Sequence, residues 1–272
     1  MSIPFAQSLL SFVSLPYRKD AQEQKTIIDL EARKYIPVPI NEVQVDWFIV
    51  PSSGPDARPD SPDTEKVDVL IVAVHNDELT LLHDIALGAD LSASFYEIEV
   101  FSTIRSIVED SMKSVMVIDI GATSTKTYVV EHGIVALSHT ITMGSQDITR
   151  AIATGHNISI ARAEAIKKEK GVQGEEETHQ NLIFSRVFSE AHRVLSQYEL
   201  TRHRSVEQVL LTGGGGVTKE LMPTAKKYFP IDIRIANPFG RTIAPAFIRP
   251  VLESVGPEFA VAVGLALRKL EE

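Results

Sequence analysis

Two glycine-rich stretches hold the residue types that can handle a phosphorylated ligand. In the first, an apolar run from Val115 ends at Asp119, and Gly121, Ala122, Thr123, Ser124, Thr125 and Lys126 follow. Thr127 to Val130 is β-branched and aromatic, so it reads as a second strand rather than a helix. Glu131-His132-Gly133 turns the chain, and Ile134 to Leu137 reads as a third strand. A Walker phosphate loop runs from a strand into a helix and carries GxxxxGK[ST]; neither feature is present here. At a hairpin tip, Gly121 lets backbone N–H groups approach a phosphate, and Thr123, Ser124 and Thr125 add hydroxyl donors. Lys126 offers a point charge, and Asp119 offers an oxygen to a Mg²⁺ held through water. The same residues would also suit an ordinary polar hairpin.

The second stretch is Val209-Leu210-Leu211-Thr212, a strand, followed by Gly213-Gly214-Gly215-Gly216. Val217 to Tyr228 is predicted as a helix with Val217, Leu221, Ala225 and Tyr228 inward. Four successive glycines carry an entropy cost that a plain turn does not need, and they let backbone lie flat against a ligand or a neighbour. Both loops are expected to face one cleft.

The elements that must position these loops follow from the pattern around them. Ser8–Leu15 reads as a strand closed by Pro16, and 20–35 as a helix stopped by Pro37 and Pro39. Val43, Val45, Trp47 and Ile49 alternate as a half-buried strand. Pro51–Glu65 is a loop, Val67–Val74 an apolar strand, and Glu78–Leu87 a helix capped by Asn76 or Asp77 and ended by Gly88. Leu91–Ile98 reads as another strand, so the first hundred residues run β-α-β-β-α-β, a compact α+β module. A short helix, Phe101–Ser111, leads to the hairpin. Beyond it, a strand ends at Gly144, Ser145 caps a helix over Asp147–Ala153, and Asn157 or Ser159 caps another, with Ile160, Ala163 and Ile166 inward and Gly171 as its stop. After an acidic link, Gln173–Glu177, the longest helix is predicted over Thr178–Glu199. Phe184, Val187, Phe188, Ala191, Leu195 and Tyr198 form its apolar stripe, with Glu190 and Arg193 on another face. Ile231, Ile233 and Ile235 alternate as a strand, Asn237–Gly240 is a turn, and Glu258–Lys269 is apolar on nearly all sides, which predicts a buried helix.

Composition narrows the function. The chain has 272 residues, enough for one large or two ordinary domains, with 44% apolar and 23% charged residues, as in a soluble globular protein. A net charge of −9 with no basic patch argues against nucleic acid and against an anionic membrane surface as the main partner. No cysteine is present, which excludes disulfides and thiolate zinc sites. The run Phe259–Leu267 is too short to span a bilayer, and the N-terminus carries no signal-peptide pattern. The histidines form no HExxH pair.

The order and content of these motifs resemble the actin-like ATPases, and among them the PilM-type proteins of type IV pilus assembly, relatives of FtsA. Val117–Lys126 looks like that family's second phosphate loop and Leu210–Gly215 its adenosine loop. Ala32–Pro37, Tyr96–Phe101, Ala236–Phe239 and Phe259–Arg268 continue the resemblance along nearly the whole chain. The resemblance implies an α/β and α+β chain with an actin-like ATPase (ASKHA) fold. It divides the chain into an inserted SHS2-like module (1–93), a linker helix (94–113), a second lobe with both loops (114–245), and a C-terminal segment returning to the first lobe (246–272). It also implies that Asp119, Gly121, Ala122, Thr123, Ser124, Thr125, Lys126, Gly213, Gly214, Gly215 and Gly216 face ATP and Mg. The long helix would flank the adenosine, with Glu190 and Arg193 as ribose and base contacts; on their spacing alone they are an i,i+3 ion pair. The family's first phosphate hairpin has no counterpart ahead of Met1-Ser2-Ile3-Pro4, so the first lobe is expected to be incomplete and ATP and Mg weakly held or absent. No general base can be assigned.

The leading expectation is a cytoplasmic assembly protein that binds the N-terminal cytoplasmic peptide of a PilN-like inner-membrane protein and reaches the membrane only through it. Two alternatives are an ATP-using enzyme of the sugar-kinase kind and an FtsA-like division tether. The absent first hairpin counts against the former. An end at Leu270-Glu271-Glu272 without a terminal amphipathic helix counts against the latter.

Overall fold

A computed structural model describes residues 1–50, 66–171 and 179–271. The expected loop Pro51–Glu65, the link Gln173–Glu177 and the first residue of the expected long helix lie outside them. The chain divides into two compact units, Met1–Ser102 and Thr103–Glu272.

The first unit runs β1 (Ser2–Ile3), β2 (Ser8–Pro16), α1 (Ala21–Tyr35), β3 (Val43–Val50), β4 (Lys66–His75), α2 (Asn76–Gly88), β5 (Glu97–Ile98) and the start of α3 (Glu99–Ile107). The strands β2, β4 and β3 form an antiparallel sheet in that order, with β4 central, as its continuous apolar run requires. Asp20 caps α1 by accepting from the N–H groups of Gln22 and Glu23. Its inward face, Ile28 and Ala32, packs on Val13, Leu15, Ile71 and Ala73. The strand expected over Leu91–Ile98 shrinks to Glu97–Ile98, paired in parallel with Ser2–Ile3. The helix α2 starts at Asn76 itself, with His75 at the N-cap; the Asn76 amide instead donates to the Asn41 carbonyl at 2.9 Å. Alternation in β3 holds through Trp47 and fails at Ile49, which is exposed at the sheet's edge.

The second unit is built on β6 (Val115–Ile120), β7 (Thr125–Glu131), β8 (Ile134–Ile141), α4 (Ser145–His156), α5 (Ile160–Lys170), α6 (His179–Arg202), β9 (Gln208–Thr212), α7 (Leu221–Ala225), β10 (Asp232–Ile235), α8 (Arg249–Val255) and α9 (Ala260–Glu271). Its sheet runs β10-β9-β6-β7-β8, with β6 parallel to β9 and antiparallel to β7. The apolar stripe of α6 is buried as its spacing requires: Phe184, Val187, Phe188, Ala191, Leu195 and Tyr198 pack on Met116, Ile118, Val209 and Leu211. Phe188 meets Phe229 edge-on, with ring centroids 6.2 Å apart.

Four local expectations change. Ile160, expected inward, is exposed at the first turn of α5, while Ser159 caps that helix and Ala163 is fully buried. Ser145 does not cap α4; Gly144 holds the N-cap and its N–H donates to Asp147 at 2.9 Å. The helix after the glycines is only Leu221–Ala225, because residues 213–220 are taken up by turns. The C-terminal helix is not buried on all sides. Among its described residues only Ala260 and Gly264 are buried, and their carbonyls accept from Ser106 at 2.8 Å and Arg105 at 3.1 Å. These two small residues allow the close approach to α3. Among the described residues, one helical stretch, Arg249–Leu270, is long and apolar enough to cross a membrane. It is interrupted by a 3₁₀ turn at Gly256–Phe259, and its contacts to Arg105 and Ser106 are those of a helix packed on protein.

Phe188→Ala empties a site among Phe184, Tyr228 and Phe229. It is expected to cost about 3–5 kcal/mol, read as a lower denaturant midpoint with an unchanged slope.

Candidate nucleotide site

The parallel pairing of β6 with β9 sets Asp119 opposite Thr212, so the hairpin tip and the tetraglycine loop leave the sheet side by side. They touch directly: the Gly215 N–H donates to the Ile120 carbonyl at 2.8 Å. Three of the four glycines are explained by this packing. Gly213 sits at φ +79°, where a Cβ would collide with the Asp119 carboxylate. A Cβ on Gly215 would run into the Ile120 side chain, and one on Gly216 would lie 2.5 Å from the Thr212 carbonyl oxygen. Gly214 alone turns its face outward, with only the Glu258 side chain within 4.0 Å of a Cβ there.

At the hairpin tip, the Gly121 N–H closes the turn onto the Ser124 carbonyl at 3.0 Å. Ala122 and Thr123 are exposed and Ser124 is half-buried. Among the described residues, the N–H groups of these three donate to no backbone carbonyl outside a helix or strand. That is a donor set suited to phosphate oxygens. Thr125 differs from its neighbours: it is fully buried, and its hydroxyl donates to the Met143 carbonyl at 2.8 Å. Lys126 and Asp119 are cross-strand partners in the β6–β7 ladder, and the Lys126 ammonium lies 3.6 Å from the Asp119 carboxylate. The charge expected to meet phosphate and the carboxylate expected to hold Mg²⁺ thus face each other.

The hairpin tip is also held from behind. The Ser145 and Gln146 N–H groups at the start of α4 donate to the Gly121 and Ala122 carbonyls at 2.9 and 2.8 Å. Gly144 makes this approach possible, since a Cβ there would lie 2.5 Å from the Ala122 oxygen. The helix α5 packs on α4 and on the segment that follows the glycine loop. Its buried Lys167 donates to the Ser145 carbonyl at 3.1 Å and to Thr149 at 3.0 Å, and pairs with Glu164 at 2.8 Å. Just past the same C-terminal end, Gly171 at φ +62° presses on Lys219, whose ammonium donates to the Glu169 carbonyl at 3.1 Å. Burial pushes the Glu164 carboxyl up, but the hydrogen bonds from Lys167 and Thr149 outweigh it and hold the group below the usual carboxylate range.

Glu190 and Arg193 stand on α6. Glu190 is bonded to His139 on β8 at 2.9 Å and lies 3.4 Å from Arg193. The hydrogen bond with His139 depresses its carboxyl. Sequence reading passed over Glu164 and Lys167. Their available signal was a Glu-x-x-Lys pair beside the small Ala163, on a helix capped by Ser159 and ended by Gly171.

Gly213→Ala forces a Cβ against Asp119 at a positive φ and is expected to destabilise by about 1–3 kcal/mol, visible as a drop of several degrees in thermal midpoint. Glu164, being depressed, contributes stability that is present above its unfolded pKa of about 4.3 and is lost as the pH falls through the lower folded value. Glu164→Gln is therefore expected to melt lower than the parent at pH 7, and the gap should close on acidification below pH 4 or so.

A family profile described as type IV pilus assembly protein PilM matches residues 1–270. The chain is similar to the PilM–PilN type IV pilus biogenesis complex at 25% identity and a TM-score of 0.77, covering 97% of this chain and 77% of that one. It is also similar to the ethanolamine utilization protein EutJ from Carboxydothermus hydrogenoformans, with 16% identity, a TM-score of 0.52, and 71% of this chain over 61% of that one. MreB5 of Spiroplasma citri bound to ADP gives 16% identity, a TM-score of 0.51, and 71% of this chain over 65% of that one. The chain spans less than two thirds of these last two, and they share its fold alone, which is the actin-like ATPase fold. The chain belongs to the type IV pilus assembly protein PilM family.

Proposed function

We propose that the chain is a cytoplasmic, actin-like assembly protein that binds the short N-terminal cytoplasmic segment of a PilN-like inner-membrane protein. One observation carries this reading: 97% of the chain follows the fold of the PilM–PilN complex, at a TM-score of 0.77. The first unit is the proposed seat of the contact. It exposes Phe48, Leu81, Ile85, Leu87 and Leu91, more apolar side chain than a solvated surface calls for. Leu81 and Ile85 are one helical turn apart on α2. The protein reaches the membrane through its partner.

Nucleotide is secondary in this proposal. The N–H groups of Ala122, Thr123 and Ser124 and the hydroxyls of Thr123 and Ser124 would hold phosphate, and Gly214 would leave room for the adenosine. Asp119 would hold Mg²⁺ through water, in competition with Lys126. When bound, Mg²⁺ neutralises phosphate charge. The Thr125 hydroxyl is spent on Met143 and the Lys126 charge on Asp119. Each charge-assisted bond forgone weakens the site by about 1.5–3 kcal/mol, so two forgone lower the affinity by roughly 10²–10⁴-fold.

A labelled peptide from the cytoplasmic N-terminus of a PilN-like protein is expected to bind residues 1–272 saturably. Leu81→Glu combined with Ile85→Glu is expected to weaken it at least tenfold with the circular dichroism unchanged. No binding by the unaltered chain would overturn the function; binding untouched by the double substitution would overturn only its location. Titration calorimetry with a non-hydrolysable Mg-ATP analogue is expected to give a dissociation constant near millimolar, and a low-micromolar value would contradict the weak-site reading. No sedimentation with anionic liposomes is expected unless the partner is present.

A further inference from the structure

Sheet edges expose backbone donors and acceptors, and proteins shield them with charge, bulges or shortness. The described edges of this protein follow that rule, with one exception. The edge strand β3 carries the exposed Asp46 at its middle. The edge strand β10 is four residues long and displays Asp232 and Arg234. The edge strand β8 departs from a regular ladder: Val129 pairs with Leu137 and Val130 with Val135, leaving Ala136 as a bulge. The strands β1 and β5 are two residues each. The remaining edge strand, β2, is different. It pairs with β4 in an unbroken nine-residue ladder, from Ser8 opposite Val74 to Pro16 opposite Lys66. Among the described residues, no strand lies beyond it. From Ser8 to Leu15 it reads SLLSFVSL, with no charge and no proline.

The order of those residues says what fits there. About Ser11 the strand is a near-palindrome: Ser8 mirrors Ser14, Leu9 mirrors Val13, and Leu10 mirrors Phe12. Two antiparallel copies related by a two-fold axis through Ser11 would set each residue opposite its mirror. Residues directly opposite point to the same face of the sheet. Leu9 would then lie against Val13 of the second copy on the α1 side, where both already join the first unit's core. Leu10 would lie against Phe12 on the other side, and serine against serine between them. An isologous contact brings every near-axis charge up against its own copy, so an uncharged strand suits it where a charged one does not. We propose that β2 is a self-association edge: two copies of this chain pair antiparallel through β2 with Ser11 on the two-fold axis, joining the two three-stranded sheets into one six-stranded sheet.

The chain has no cysteine, so a single introduced one is a clean probe of this register. On the axis, the two Ser11 Cα atoms would be about 4.5–5.5 Å apart, inside the disulfide range of roughly 4.4–6.8 Å. The two Ser14 residues would be about 20 Å apart, six residues along the strands. Ser11→Cys is expected to give a covalent dimer as its main product under mild oxidation. Ser14→Cys is expected to give at least tenfold less, and a mixture of Ser8→Cys with Ser14→Cys is expected to give the mixed dimer. By sedimentation velocity, the unaltered chain is expected to shift from monomer to dimer as concentration rises, and Ser11→Lys to remain a monomer with its circular dichroism unchanged. A unaltered chain that stays monomeric throughout, or equal cross-linking of Ser11→Cys and Ser14→Cys, would overturn the proposal. A dimer that survives Ser11→Lys would place the contact elsewhere and overturn it as well.

Discussion

The geometry of the second unit depends on one pairing, the parallel ladder that sets β9 beside β6. The hairpin and the glycine loop are about ninety residues apart in the chain, yet Asp119 sits opposite Thr212. From that register, the Gly215 N–H finds the Ile120 carbonyl, and the Asp119 carboxylate comes to lie over the Gly213 backbone. A parallel pair needs a crossover, and here α4, α5 and α6 lie between the two strands in sequence. The apolar stripe of α6 closes the crossover onto the sheet. The chain between the loops is thus what brings the loops together.

This arrangement also explains why four glycines stand in a row. Backbone conformation accounts for Gly213, and close packing on Ile120 and Thr212 accounts for Gly215 and Gly216. Only Gly214 faces open space. A glycine run that reads as a ligand cradle is mostly the contact surface between two loops, and the space left for a ligand is what those contacts leave over. The same economy governs polar side chains at the hairpin. A threonine at the tip and a threonine one step inside look alike in sequence. The pleat turns Thr125 into the core side, where its hydroxyl must find Met143, while Thr123 stays in water.

Much of the fold was legible because burial follows period. The stripe on α6, the apolar run of β4 and the hairpin strands are long enough for periodicity to decide type and face. Where the sequence misled, the cause was local. Val217 to Tyr228 has helical spacing, but turns occupy its first part and leave a helix of five residues. Glu258–Lys269 is apolar around its circumference, which signals burial, yet small residues let it dock by backbone carbonyls while most of its surface stays partly open. An i,i+3 pair fixes nothing about a third partner, so the spacing of Glu190 and Arg193 gave no hint of His139, fifty-one residues earlier. Glu164 and Lys167 were hidden for the same reason. Their meaning lies in Thr149 and Ser145 on another helix.

The C-terminal segment is tied to the glycine loop more closely than its exposure suggests. The Pro257 carbonyl accepts from the Thr212 hydroxyl and from the Gly213 N–H, both at 3.1 Å. Three residues on, the Ala260 carbonyl accepts from Ser106, and Gly264 then accepts from Arg105. Arg241 donates back to the carbonyls of Arg105 and Val108 at 3.2 and 3.1 Å. The end of β9, the turn before α9 and the last turns of α3 therefore form one run of hydrogen bonds. The Thr212 hydroxyl is buried, so breaking its bond to Pro257 would leave a polar group without water to replace the lost partner. Any displacement of α9 along its axis must then either strain this run or carry Gly213 with it. Gly213 cannot move toward the hairpin without meeting Asp119. The C-terminal helix, though largely uncovered, acts as the fixed backstop of the loop.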